Sequence, residues 1–240
     1  MTEKFTAQQV KDSTVQYQGD GVTITAYLVK PQGVSNAPSI IVIQEWWGLN
    51  DHIKDIARRL ARCGYIAIAP DLYSRLGNPI TTDADEAGRL MTALQQEDGL
   101  KDLNATIAYL KTVPEVDASR IGTMGFCMGG SYALILPTIN ASIKAAVSFY
   151  GQVPDPDTPL QKLHAPVLYI YGEDDGWITH DHVDRLRGAL HAYGKTGEAK
   201  TYPKAPHAFF NDTRPDVYKS EEAADAWNRT LAFFSQHLGH

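Results

Sequence analysis

Short, continuously apolar runs alternate with amphipathic segments along almost the whole chain, and that order limits the fold more than any other feature. Residues 22–30 alternate and are rich in Val, Ile, Thr and Tyr, as a strand requires. Residues 39–44 and 65–69 are apolar on both faces, the pattern of strands buried within a parallel sheet. Between them Ile53, Ile56, Ala57 and Leu60 repeat at helical spacing. Asn50 or Asp51 is placed to cap that helix, Gly64 to end it, and Arg58, Arg59 and Arg62 lie toward its negative end. Residues 83–112 read as helical with a break near Asp98-Gly99. Further strands are predicted over 120–126, 145–150, 166–171 and 199–202. Helices are predicted after Cys127, as far as the disturbance at Pro137, from the Thr179 cap to about Tyr193, and over Ser220–Leu238. The last has an inner stripe of Ala223, Ala224, Trp227, Leu231, Phe234 and Leu238. Such alternation predicts an α/β fold: a mainly parallel, doubly wound sheet with helices on both faces.

Sites in open α/β sheets lie beyond the carboxyl ends of strands. The segments after residues 44, 70, 126, 150 and 171 are therefore the places to search. A length of 240 residues suits one domain, 1–240, and the proline- and aspartate-rich stretch 152–159 reads as a loop. The net charge of −6 argues against a nucleic-acid partner. No apolar run approaches a membrane span, and residues 1–10 carry no apolar leader core, so a soluble cytoplasmic protein is expected. His240 is a lone terminal histidine and no tag. Two cysteines, Cys63 and Cys127, exclude a disulfide scaffold.

The two cysteines differ in context. Cys63 sits in the last turn of a helix, on its apolar side, where a thiol packs as a small hydrophobe. Cys127 stands in Gly125-Phe-Cys-Met-Gly129, directly after a strand and before a helix. That is the G-x-nucleophile-x-G form of a nucleophile elbow with Cys in place of Ser. Small residues two positions either side let strand and helix approach through a sharp turn. The helix N-terminus favours thiolate over thiol, and its N–H groups can stabilise an oxyanion.

A thiol nucleophile needs a base, and the base an orienting carboxylate. In this architecture they follow in the order nucleophile, acid, histidine. Gly172-Glu-Asp-Asp175 lies at a strand's carboxyl end; Asp175 is the candidate acid, with Glu173 and Asp174 as near competitors. His207, in the loop before the last helix, is the candidate base. His180 and His182 form an H-x-H pair, but residues two apart on a helix point apart, so no metal site is expected. His52, His164, His191 and His237 have no motif context and read as surface or capping residues. Trp46, Trp47, Tyr73, Phe149, Tyr150, Trp177 and Phe209 all fall near strand ends. Some should line an aromatic cleft and the rest should pack the core.

Taken together, Gln44-Glu-Trp-Trp-Gly-Leu-Asn-Asp-His52, Ala69-Pro-Asp-Leu-Tyr73, Gly125-Phe-Cys-Met-Gly-Gly130, Gly172-Glu-Asp-Asp175 and His207-Ala-Phe-Phe-Asn-Asp212 resemble the dienelactone hydrolase family of α/β-hydrolases over nearly the whole chain. The resemblance implies a Cys–His–Asp triad of Cys127, His207 and Asp175. It gives Glu45 a role in deprotonating the thiol when substrate arrives. The oxyanion hole would use the backbone N–H of Met128 and that of Trp46. Arg75 matches a family arginine that pairs with the substrate carboxylate; of the aromatic residues near strand ends, Tyr150, Trp47 and Phe209 are the candidate substrate contacts. A second family arginine is replaced by Asn211, with Arg214 nearby but out of register, which relaxes the preference for anionic substrates.

The expected activity is hydrolysis of lactones or activated esters through a thiol acyl-enzyme, with no cofactor and no metal. The partner is a small lactone or ester, not nucleic acid or membrane, and the chain is a monomer or small homo-oligomer. A broader carboxylesterase or thioesterase, or an activated phosphotriester hydrolase, keeps the same triad. A non-catalytic or redox-sensing thiol protein is the alternative of another class.

Overall fold

A computed structural model describes residues 9–239; the leader reading of residues 1–10 falls largely outside them, as does His240. Eight strands are formed: β1 (Val10–Gln18), β2 (Thr23–Pro31), β3 (Ala37–Ile43), β4 (Ile66–Pro70), β5 (Val116–Phe126), β6 (Ile143–Phe149), β7 (Val167–Gly172) and β8 (Gly197–Tyr202). They are interleaved with helices α1 (Asp51–Arg62), α2 (Ala84–Ala93), α3 (Gln96–Leu110), α4 (Met128–Ile139), α5 (His180–Ala192) and α6 (Ser220–Leu238). The sheet order is β1-β2-β4-β3-β5-β6-β7-β8. Pairing is antiparallel between β1, β2 and β4, and parallel for β3/β4, β6/β7 and β7/β8. The chain divides within β5 into two compact units, one reaching Ile121 and the other Gly122–Gly239.

In the first unit β3 and β4 are buried along their whole length, as their unbroken apolar runs require. Helix α1 covers β2, β3 and β4 with Ile53, Ile56, Ala57, Leu60 and Ala61. Asn50 caps it by accepting from the Ile53 N–H at 3.2 Å. His52 is buried rather than superficial, because it lies one turn before Ile56 on the inner face. Cys63 is the C-cap residue, half-buried, and burial pushes its thiol pKa up, which suits a packing role.

In the second unit α4 packs on β6, α6 on β6 and β7, and α5 on β8. The α6 stripe is rotated from the expected one. Ala226, Thr230 and Phe233 join Ala223, Leu231, Phe234 and Leu238 inside, while Ala224 is exposed. Trp227 is half-buried beside Phe210, with ring centres 6.2 Å apart. Helix α4 runs through Pro137 to Ile139, since a proline in the last turn removes only one bond.

Candidate active site

The second unit carries the elbow. β5 ends at Phe126, α4 begins at Met128, and Cys127 between them has φ 54° and ψ −117°. A non-glycine residue there stores about 1–3 kcal/mol of backbone strain, held by its surroundings. The Cys127 N–H donates to the Phe149 carbonyl at 3.0 Å and so ties the turn to the end of β6. A Cβ on Gly125 would lie 2.0 Å from the Gly129 carbonyl oxygen, and one on Gly130 would lie 2.4 Å from the Phe149 oxygen. Gly130 is therefore as sterically constrained as Gly125, a constraint the five-residue pattern does not display.

Two other loops converge at the carboxyl ends of β7 and β8. The Glu173 N–H donates to the Tyr202 carbonyl at 2.9 Å and the Asp174 N–H to that of Ala205 at 3.0 Å. Gly172 permits this approach, because a Cβ there would sit 2.3 Å from the Ala205 oxygen. The result is a bond of 2.7 Å between Asp175 Oδ2 and His207 Nδ1. It is Asp175 that bonds the imidazole; Glu173 and Asp174 are exposed. Asp175 Oδ1 accepts from the backbone N–H groups of Trp177 and Ile178, each at 2.8 Å. Both carboxylate oxygens are thus used, and the side chain is 0% exposed. A buried carboxylate with fixed donors holds Nδ1 protonated, which leaves Nε2 as the acceptor. His207 Nε2 is buried and makes no hydrogen bond.

The imidazole is flanked by two rings. Tyr150 is 5.0 Å away, and Tyr150 in turn lies 6.3 Å from Phe126, the residue before Cys127. Trp177 is 5.5 Å from the imidazole and is 41% exposed. Phe209 is fully buried between Tyr150 and Tyr202 and has a packing role here, as does Phe149 against Phe126. His182 Nδ1 completes the capping box of α5 with Thr179, while His180 packs edge-on against Tyr171, so the H-x-H pair serves two separate local tasks.

The remaining candidates belong to the first unit. Glu45 follows β3 and is buried. Trp46 and Trp47 are half-buried and meet edge to face at 4.9 Å. The Tyr73 hydroxyl donates to the Trp46 carbonyl at 2.9 Å and Thr81 N–H to that of Trp47 at 3.1 Å, which fixes this backbone. Arg75 Nε and Nη2 donate to Asp102 at 2.9 and 2.8 Å. Asp102 is 1% exposed and Arg75 21%. That edge of the guanidinium is already occupied from within the unit. Sequence reading missed Asp102, which sits on α3 27 positions away with no local signal. Asn211, in the second unit, is buried, and its Oδ1 accepts from Thr213 N and Oγ1 at 3.1 and 2.7 Å, serving the loop after His207.

The model described as "Dienelactone hydrolase family" matches residues 24–238. The chain belongs to the dienelactone hydrolase family. It is 37% identical over 229 residues to a Methylorubrum extorquens protein named "Putative carboxymethylenebutenolidase", covering 91% of this chain and 78% of that one. A Yersinia pestis protein of the same name is 37% identical over 238 residues, covering 94% and 88%. Among solved structures, the "Putative Dienelactone Hydrolase" of Klebsiella pneumoniae matches with a TM-score of 0.91 at 35% identity, covering 96% of this chain and all of that one. A dienelactone hydrolase-like promiscuous phosphotriesterase from metagenomic libraries shares the fold, with a TM-score of 0.88 at 24% identity over 96% of this chain and 99% of that one. The chain is accordingly an ester hydrolase of the dienelactone hydrolase family with the α/β fold expected of it. No helix among the described residues is long and apolar enough to cross a membrane.

Proposed function

We propose that this member of the dienelactone hydrolase family cleaves lactones or activated esters through a thiol acyl-enzyme on Cys127. The observation that carries the reading is the Asp175–His207 bond of 2.7 Å, with Nε2 buried and unbonded, in the same unit as the strained Cys127 turn. Nε2 accepts the thiol proton, with Glu45 assisting the ionisation. The thiolate forms an S–C bond to the ester carbonyl, and the oxyanion is met by the Met128 and Trp46 N–H groups. The C–O bond then breaks, and the leaving oxygen takes the proton from Nε2. His207 next deprotonates a water, which attacks the thioester and releases the acid and the thiol. Water is the only co-reactant, so the proposed cycle needs neither cofactor nor metal, and its substrate is a small molecule.

The test is hydrolysis of a panel of lactones and a 4-nitrophenyl ester by wild type and Cys127→Ala. The reading predicts loss of at least about 10³ in kcat for the variant. Equal rates in both would reject it.

A second reading keeps the triad and widens the substrate to neutral esters, thioesters or activated phosphotriesters. It is favoured by the Arg75–Asp102 pairing and by Asn211 in its loop bonds, which together leave an anionic substrate without a dedicated double fork. In that case Arg75→Ala changes the rates for neutral and carboxylate-bearing lactones alike. A loss confined to the carboxylate-bearing ones would return Arg75 to substrate recognition.

A further inference from the structure

We infer that Trp177 is a specificity-determining residue that seats the leaving group, and that the enzyme prefers esters and lactones whose leaving group is flat and unsaturated. The inference rests on the acyl-enzyme reading above, since it needs His207 to act as the acid.

In the acylation step Nε2 delivers its proton to the departing oxygen, so that oxygen must come within hydrogen-bond reach of Nε2. A side chain packed against the imidazole is therefore within reach of the leaving group, while the acyl part stays with the nucleophile. Two rings flank it. Tyr150 is fully buried and already packed among Phe126, Phe149 and Phe209. Trp177 is the opposite case: its indole is 5.5 Å from the imidazole, at an interplanar angle of 64°, and 41% exposed. It is one of only four large hydrophobic side chains exposed among the described residues, and it stands beside the catalytic base. Its backbone is fixed, because its N–H donates to Asp175 Oδ1. The indole thus presents solvent-exposed apolar surface beside the imidazole, on a backbone anchored to the same carboxylate that orients His207. A planar aryl, vinyl or enol leaving group can stack on it, whereas a tetrahedral alkyl group of equal acidity cannot.

Substitution at 177 leaves the backbone N–H to Asp175 in place and removes an exposed ring, so the fold and the Asp175–His207 pair are retained. Phenyl acetate and hexafluoroisopropyl acetate carry alcohols of similar acidity, one flat and one not, and form the same acetyl-enzyme. Trp177→Ala should lower kcat/KM for phenyl acetate about tenfold and leave the hexafluoroisopropyl ester within about twofold, with Trp177→Phe restoring most of the loss. Equal losses on both esters, or no loss on either, would overturn the inference while Cys127 dependence persists. Unchanged hydrolysis of both esters by Cys127→Ala would instead reject the thiol reading, and the inference with it.

Discussion

Replacing Asp175 by Asn tests how the structure sets the state of His207. The substitution is isosteric, but the surroundings decide which way the amide points. Trp177 N–H and Ile178 N–H both donate to Oδ1 at 2.8 Å. The amide oxygen must stay on that side, since an NH₂ group there would face two donors. The NH₂ is therefore aimed at Nδ1, where Oδ2 now accepts at 2.7 Å. Nδ1 then becomes the acceptor and the proton moves to Nε2, which can no longer take one from a thiol. The expected loss is about 10³–10⁴ in kcat, the size that the wrong tautomer costs in serine-hydrolase triads, or about 4–5.5 kcal/mol of barrier. Stability should fall far less. One charge-assisted bond is lost and two backbone bonds remain, about 1–2 kcal/mol, or less than about 8 °C in Tm for a chain of this size. The assay is steady-state hydrolysis of a 4-nitrophenyl ester, with melting curves to show the variant folded. A folded variant within tenfold of wild-type kcat would refute the argument that the carboxylate fixes the tautomer.

Three other outcomes follow from the same geometry. Burial raises the Asp71 carboxyl from 3.8 to about 6, against smaller opposing effects of the Tyr73 N–H, Lys54 and Gln44. Its folded value lies above the unfolded one, so its contribution to stability is full below about pH 4 and is lost as pH rises through 6; Asp71→Asn should therefore stabilise at neutral pH by up to about 3 kcal/mol and hardly at all near pH 4, read from urea midpoints. The same gain at both pH values would contradict this. Arg75→Ala strands the buried Asp102 carboxylate and should cost about 3 kcal/mol, largely recovered by adding Asp102→Asn; a cost under about 1 kcal/mol would show that the pair does not hold the loop to α3. Gly172→Ala puts a Cβ 2.3 Å from the Ala205 carbonyl, a backbone atom that cannot turn aside, and should lower both Tm and kcat by prising apart the Asp175 and His207 loops. Unchanged kcat in a variant with lowered Tm would separate the two effects and count against this account of their convergence.

The sequence is most informative where one residue type meets a strong geometric demand. Ser220–Leu238 reads correctly because its apolar residues recur at helical spacing over 19 residues. The strand–helix junction at Cys127 is legible from a different signal, the Gly125-Phe-Cys-Met-Gly129 spacing, since residues 120–126 include Arg120 and Thr123 and form no unbroken apolar run. β1 is not legible: of Val10–Gln18 only Val10, Val15 and Tyr17 are apolar and only Tyr17 is buried, so this edge strand carries too little apolar signal to mark it. β5 begins at Val116 rather than 120 because its first residues are polar and partly exposed. The break in 83–112 falls at Leu94-Gln95, not at Asp98-Gly99. Gly99 is a buried position inside α3, whereas Leu94 leaves the helix through an extended ψ of 106° with no glycine or proline to announce it. Among site residues, order along the chain singles out the segment Gly172–Asp175, but only the Trp177 and Ile178 N–H groups and the His207 bond distinguish Asp175 from its neighbours. The Asp102 partner of Arg75 and the exposure of Trp177 depend on tertiary packing that no local pattern encodes.

The most direct measurement of the central claim is the site of covalent acylation. Wild-type protein mixed with excess 4-nitrophenyl acetate, quenched in acid within milliseconds and mapped by peptide mass, should carry one acetyl group on the peptide that contains Cys127, with none on Cys63. The label should be absent in Cys127→Ala and should persist longer in His207→Ala once acylated. Acetyl on another residue, or full turnover by Cys127→Ala with no labelled peptide, would contradict the account.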